Sequence, residues 1–325
     1  MESLYPLKMM PLFKNKIWGG NKINEFFGID YSPLPNCGEM WMVSGVEGNE
    51  SVVENGFLEG NHLNELLEIY MSDLVGEKIY QKFGNEFPLL VKILDANDKL
   101  SVQVHPDDAL AEERDLGLGK TEMWYVIDAD KDAELISGFN KDISSDEFKK
   151  ELECGSLINL LNTEKVEKGD VFYIPAKRIH ALCEGILLAE IQQTSDITYR
   201  VYDWGRLDEN GKSRELHIEE AIDSIDFRKT ENAKTEYQYQ HNKTTELVQS
   251  EFFTTNLLHL DHAVEKDFSS LDSFVIYLCI EGGGAVRALD TVLEFKAGEC
   301  VLLPAVTKTV EFHPAGEMKM LEVHL

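Results

Sequence analysis

An eight-residue pattern occurs twice in this chain. Gly169-Asp170-Val171-Phe172-Tyr173-Ile174-Pro175-Ala176 has the same form as Gly298-Glu299-Cys300-Val301-Leu302-Leu303-Pro304-Ala305. In each copy a glycine and an acid make a turn and an apolar block reads as a buried strand. Proline then ends the strand, because it has no N–H to offer a neighbour. An aromatic–aliphatic strand lies upstream of each copy: Trp124-Tyr125-Val126-Ile127 and Tyr277-Leu278-Cys279-Ile280. Strands punctuated by Gly and Pro turns, repeated in two halves, predict a mainly β chain of two related sandwich barrels of jelly-roll type. Five residues after the proline stands His180 in the first copy and Thr309 in the second. A polar ligand is thus kept in the first half alone, and chemistry is expected there.

The intervening sequence fits this frame. Leu63, Leu66, Leu67, Tyr70 and Leu74 recur at helical spacing, so residues 61–83 read as one or two helices with Gly76 a break. Ser144 and Glu147 have capping-box spacing ahead of Phe148, Leu152 and Leu157, which predicts a second helical insertion over about 144–162. A short helix is expected around 217–225. Residues 228–250 are polar and nearly free of aliphatics, a linker or an exposed extended crossing. The division expected is 1–230 as a catalytic part and 231–325 as the linker and a degenerate second barrel.

Composition narrows the function classes. The 325 residues carry 31 basic and 59 acidic side chains, a formal charge of −28. That works against nucleic acid and against an anionic membrane, both of which bind through Lys and Arg. It leaves room for one small phosphorylated ligand at a local cluster of cations. Five cysteines at wide spacings, with no C-x-x-C pair, argue against a disulfide framework or a thiolate zinc site and for a reducing compartment. The first twenty residues lack the apolar stretch of a signal peptide. No apolar run approaches the roughly 18 residues of a membrane span. A soluble cytoplasmic protein is expected.

Four side chains make a candidate metal site. Gln103 and His105 stand at i and i+2 on a predicted strand and share a face. Glu122 starts the strand through Met123–Ile127, and His180 follows the Gly-to-Pro strand. Two imidazoles, a carboxylate and an amide oxygen suit Zn²⁺, Fe²⁺ or Mn²⁺ and leave a position open for Lewis-acid chemistry. Taken singly, each of these residues is as well explained by an ordinary polar pair or a solvated strand end.

At these residues the sequence resembles the type I mannose-6-phosphate isomerases, zinc-dependent members of the cupin superfamily, in their short bacterial form. The likeness runs through Trp18-Gly19-Gly20, GEMW (38–41), PLLVKILDA (88–96), LSVQVHPDD (100–108), GKTEMWYV (119–126), FYIPAKRIHAL (172–182) and EIQQTSDITYRVYDWGR (190–206). The resemblance implies two cupin barrels and one zinc ion per chain on Gln103, His105, Glu122 and His180. It also implies an active-site arginine at Arg200, and interconversion of mannose 6-phosphate and fructose 6-phosphate. One departure stands out: Lys177 occupies a turn position that is usually glycine in the family, so the backbone there must tolerate a side chain.

Aldose–ketose isomerisation needs a base over the C1–C2 edge, positive charge near the developing oxyanions, and an anchor for phosphate. Arg200 offers a planar fork for an oxyanion or phosphate, or for a structural pair with Asp196 or Asp203. Lys120 shares the side of Glu122 and suits phosphate or a sugar oxygen. Lys92, inside an apolar run, needs an anion, either substrate phosphate or a structural acid. Ser101 shares parity with Gln103 and His105 and is a hydroxyl or phosphate partner. Glu190 is a candidate base or the salt-bridge partner of Lys92 or Arg200. Trp18 is a candidate wall of the sugar site. Oligomeric state is left open. An iron-dependent cupin oxygenase and a non-catalytic sugar-binding cupin are the other readings.

Overall fold

The computed structural model describes residues 4–207 and 211–325, which leaves residues 1–3 of the opening and 208–210 of the N-terminal part outside the description. Two sheets form the N-terminal sandwich. The first has six antiparallel strands, in spatial order Val171–Ile174, Glu122–Ala129, Ile186–Gln193, Leu89–Ala96, Glu39–Val43 and Leu12–Lys14. The second has five: Tyr199–Tyr202, Val102–Val104, His180–Leu182, Glu134–Phe139 and Leu161–Lys165.

Strand alternation decides what faces the space between them. In Leu89–Ala96 every residue is buried, because both faces of the sheet are covered. Leu89, Val91 and Ile93 pack toward the C-terminal sheet in one core that includes Ile276, Leu278 and Leu302. Leu94 and Ala96 pack inward with Trp124, Leu135, Leu182 and Leu188. Lys92, on the same parity as Leu94, therefore points into the sandwich. On the five-stranded sheet, Val102, Val104, Ala181, Tyr199 and Val201 face outward onto Phe148, Leu157 and Ala221 of the helical insertions. Gln103, His180 and Arg200 are left to face inward.

The C-terminal half is one nine-stranded sheet dominated by two long strands, Val275–Ala288 and Thr309–His324. Register shifts at Cys279/Glu281 and Gly282/Gly284 break their pairing. Such bulges bend a strand and let the sheet curl round a core of Tyr277, Val286, Phe312 and Met320. Two strands of the N-terminal part belong to this sheet: Leu7–Met10 pairs with Cys300–Leu303 on one side and Val52–Val53 on the other.

The mainly β expectation holds, but closure of the barrels does not. Each sheet path ends on two different strands, so both sandwiches stay open at their edges. The sequence repeat is a structural one. Phe172 stands opposite Trp124 and Val301 opposite Tyr277, as the aligned copies require. The next strands across add Glu190 then Lys92 in the first half, and Glu322 then Asn256 in the second.

The insertion expected at 61–83 is three short helices, Leu63–Tyr70, Ser72–Val75 and Glu77–Phe83, with the break at Gly76 at φ 101°. The helix Ser145–Glu153 starts as read, with Ser144 Oγ accepting the Glu147 N–H, although the Glu147 carboxylate turns to Lys141 instead of closing the box. Residues 228–243 cross against the first half through bridges to Phe139 and Phe172 and are followed by the strand Thr244–Gln249.

The Trp18-Gly19-Gly20 turn is tied to the end of the strand Leu89–Ala96. Trp18 O accepts from the N–H groups of Asn97 and Asp98, and the Lys22 N–H donates to Asp95 Oδ2 at 2.6 Å. A Cβ on Gly20 would lie 2.8 Å from Asp95 Oδ1, so only glycine passes there. Burial pushes the Asp95 carboxyl up to about 6, against the backbone N–H donors of Lys22 and Ile23, which lower it. Between roughly pH 4 and 6 the folded carboxyl keeps a proton that the unfolded chain has lost, so its ionisation works against the fold. Wild type should therefore lose about 2 kcal/mol relative to D95N between pH 4.5 and 7.5, read by urea unfolding at both. An equal difference at the two pH values would contradict this.

Candidate active site

His105, Glu122 and His180 meet between the two N-terminal sheets. One ligand atom from each lies within 4.8 Å of the others. Glu122 Oε1 is 3.2 Å from His180 Nε2, and Glu122 Oε2 is 3.7 Å from His105 Nε2. All three side chains are at most 1% exposed, yet His105 Nε2, His180 Nε2 and Glu122 Oε2 have no hydrogen-bond partner among the described residues. Orphaned polar atoms are expensive in a dry interior. Burial, together with the Glu190 charge, raises the Glu122 carboxyl to about 8, against Lys120 and Lys92. Burial also holds the His180 imidazole down at about 4, against its bond to Arg178. Neutral imidazoles beside a strained carboxylate are the donor set a divalent cation needs. His180 Nδ1 sits 2.8 Å from the Arg178 carbonyl; donating there leaves Nε2 with its lone pair inward.

Gln103 is placed by pairing: it stands opposite both His180 and Arg200 on the flanking strands. It also lines a cavity of about 350 Å³ that adjoins this centre through Lys120, 3.7 Å from Glu122, and Trp124, whose ring packs edge-on against His180. Trp18, Lys92, Ser101, Lys120, Glu190 and Arg200 line the same cavity. Of the ten residues singled out from the sequence, three thus form the cluster and seven line the adjoining cavity.

Their pairings resolve several open readings. Lys92 finds a structural acid: its Nζ lies 3.3 Å from Glu190 Oε1 and 4.0 Å from Glu39 Oε2. Burial lowers the Lys92 pKa, but Glu190, Glu39 and Glu122 outweigh it and leave it raised. Glu190 also accepts from Trp124 Nε1–H at 2.9 Å. Lys120 Nζ is 3.7 Å from Glu122. Arg200 pairs with neither Asp196 nor Asp203; its guanidinium donates to the Glu215 carbonyl at 2.8 Å and its Nε is unpartnered. Asp203 is taken by Arg206 and Arg214.

The cavity also holds residues the sequence reading passed over: Lys14, Lys16, Glu39, Trp41 and Arg214. Glu39 bridges Lys16 at 3.0 Å and the Trp41 indole N–H at 2.7 Å. Burial raises its pKa, and Lys92 and Lys16 more than reverse this, to about 2. Lys14 ends a three-residue strand and Lys16 and Trp18 fall in the turn region beyond it, so no alternation in the sequence marks them.

Lys177 meets the backbone demand noted in its sequence. It adopts φ +75°, its N–H donates to the His105 carbonyl, and its ammonium lies 3.0 Å from Asp107. The lysine thus sits in the left-handed conformation the turn needs. In the second half, Thr309 is exposed and no counterpart of the His/Glu/His cluster occurs among the described residues.

Comparison with known proteins agrees with this geometry. Residues 6–149 match the family model for the phosphomannose isomerase type I catalytic domain, and residues 243–325 that for the mannose-6-phosphate isomerase cupin domain. The chain is 38% identical to a mannose-6-phosphate isomerase of Streptococcus mutans over 98% of each chain. It is 40% identical to mannose-6-phosphate isomerase ManA of Bacillus subtilis over 92% of this chain and 93% of that one. A crystal structure of the mannose 6-phosphate isomerase from Bacillus subtilis superposes with a TM-score of 0.88 at 34% identity, covering 98% of this chain and 99% of that one.

Proposed function

Since the chain belongs to the type I phosphomannose isomerase family and interconverts mannose 6-phosphate and fructose 6-phosphate, we propose that the reaction runs in the cavity of the N-terminal sandwich, on one zinc ion held by Gln103, His105, Glu122 and His180. The observation that carries this is the convergence of three buried, unpartnered ligand atoms at one end of a cavity lined by six cations in a strongly acidic protein. A zinc ion there supplies Lewis acidity toward the sugar oxygens at C1 and C2.

The remaining roles belong to the chain. In the proposed route a proton leaves one of these carbons, a cis-enediolate forms, and the proton returns to the other. Glu190, fixed by Lys92 and Trp124, and Lys120 are the groups in reach of such a transfer. Arg200, with no carboxylate partner among the described residues, faces the oxyanion that develops. Lys92 is neutralised by two acids and suits sugar hydroxyls better than phosphate. Ser101 offers a hydroxyl, and Trp18 closes one wall against water. A cytoplasmic site of action fits the five unpaired cysteines, and no helix among the described residues is long and apolar enough to cross a membrane.

The test is a coupled assay with mannose 6-phosphate before and after treatment with a chelator. Turnover that disappears on chelation and returns with Zn²⁺ is expected. Undiminished turnover in metal-stripped protein would refute the metal-dependent reading.

A further inference from the structure

We propose that Lys14 is the residue that selects a phosphorylated sugar: its ammonium holds the phosphate at the end of the cavity away from the metal ligands, on an edge strand with three strands between it and that of Glu122. This rests on the isomerase reading and adds to it a residue outside the four ligands and their neighbours.

The argument is one of charge compensation. Lys14, Lys16, Lys92, Lys120, Arg200 and Arg214 line the cavity. Four of them already face carboxylates. Lys16 lies 3.0 Å from Glu39, Lys92 3.3 Å from Glu190, Lys120 3.7 Å from Glu122 and Arg214 2.5 Å from Asp203. Lys14 and Arg200 have no carboxylate within 4.0 Å among the described residues. Their partners are neutral: Lys14 Nζ donates to the Asn49 side-chain oxygen and lies 5.0 Å from the centre of the Trp41 ring, and Arg200 donates to the Glu215 carbonyl. Neutral partners orient a cation without cancelling its field. A phosphate dianion gains most where positive charge is uncompensated, and with Arg200 beside Gln103 at the reacting end, that leaves Lys14.

Placement agrees. Lys14 closes the strand Leu12–Lys14, whose neighbour Glu39–Val43 supplies Trp41, so the sheet fixes its stem while its half-buried head reaches the cavity. The metal-ligand end is occupied by the paired Lys120 and Glu122, which leaves it for the reacting carbons. The acid Asp196 on the same wall is exposed, where solvent and salt screen it.

The experiment is steady-state kinetics of the enzyme as isolated and of K14M, K14Q and K14R, with mannose 6-phosphate as substrate and inorganic phosphate as a competing anion. K14M should raise KM tenfold or more, leave kcat within twofold, and weaken phosphate inhibition by a similar factor. K14R should retain most of both. K14Q serves in place of K14M should the latter fail to fold. A KM and a phosphate inhibition constant within twofold of wild type would overturn the assignment, as would a fall in kcat at unchanged KM. Failure of the wild type to turn over mannose 6-phosphate would sink the isomerase reading alone. Phosphate binding measured directly on wild type and K14M would then still decide the role of Lys14.

Discussion

His180→Ala should empty the metal site and abolish turnover, with zinc falling below a tenth of an ion per chain after dialysis and kcat/KM falling at least about a thousandfold. His180 supplies one of the two imidazoles, and its Nε2 is the atom nearest Glu122, at 3.2 Å. Removing it leaves Glu122, one imidazole and the neutral amide oxygen of Gln103, a set that holds a divalent cation less tightly against water and dialysis. The substitution also leaves a cavity in a site that is 0% exposed, so stability must be read separately. His180→Gln keeps most of the volume and serves as the packing control. Elemental analysis of dialysed protein, thermal melting against the metal-stripped wild type, and the coupled assay decide the matter together. Stoichiometric zinc with normal turnover in His180→Ala would remove His180 from the metal site.

Arg200→Ala should behave in the opposite way: zinc retained, fold retained, and kcat lower by about 10²–10³-fold, the range seen when one preorganised oxyanion donor is lost. The separation follows from the contacts of Arg200. Among the described residues it makes no ion pair and its guanidinium holds a single carbonyl, while its neighbours Tyr199 and Val201 keep the strand packed on the insertion helices. Its pKa is lowered by burial and by Arg214, which outweigh Asp203; strain of that kind is relieved by an anion. Arg200→Lys should recover part of the rate, since one point charge replaces a planar fork. Zinc content, melting temperature and a kcat–KM split are the readouts. An unchanged kcat would place Arg200 outside the chemical step.

Much of this site could be read from the sequence because its key residues obey short-range rules. Gln103 and His105 share a face by strand parity, and His180 follows a Gly-to-Pro strand; the left-handed backbone at Lys177 is signalled only by the likeness to the family, which usually has glycine there. What could not be read depends on which strands become neighbours. Trp41 stands beside Lys92 only because Glu39–Val43 pairs with Leu89–Ala96, a contact across some fifty residues. Lys14 lies on a three-residue strand with no periodicity of its own. The helices Lys22–Phe27 and Asp108–Glu113, six residues each, were missed because neither is long enough for apolar spacing to show. The open edges of the sandwiches are likewise a matter of strand order, which alternation does not encode.

The strand Leu7–Met10 has its hydrogen-bond partner at Cys300–Leu303, almost the whole chain away. During synthesis, therefore, Val52–Val53 can cover one edge of this strand early, but its other edge stays unpaired until the segment around residue 300 has followed. The second sheet thus acts as a clasp on the first half, fastened only after its own strands have been made.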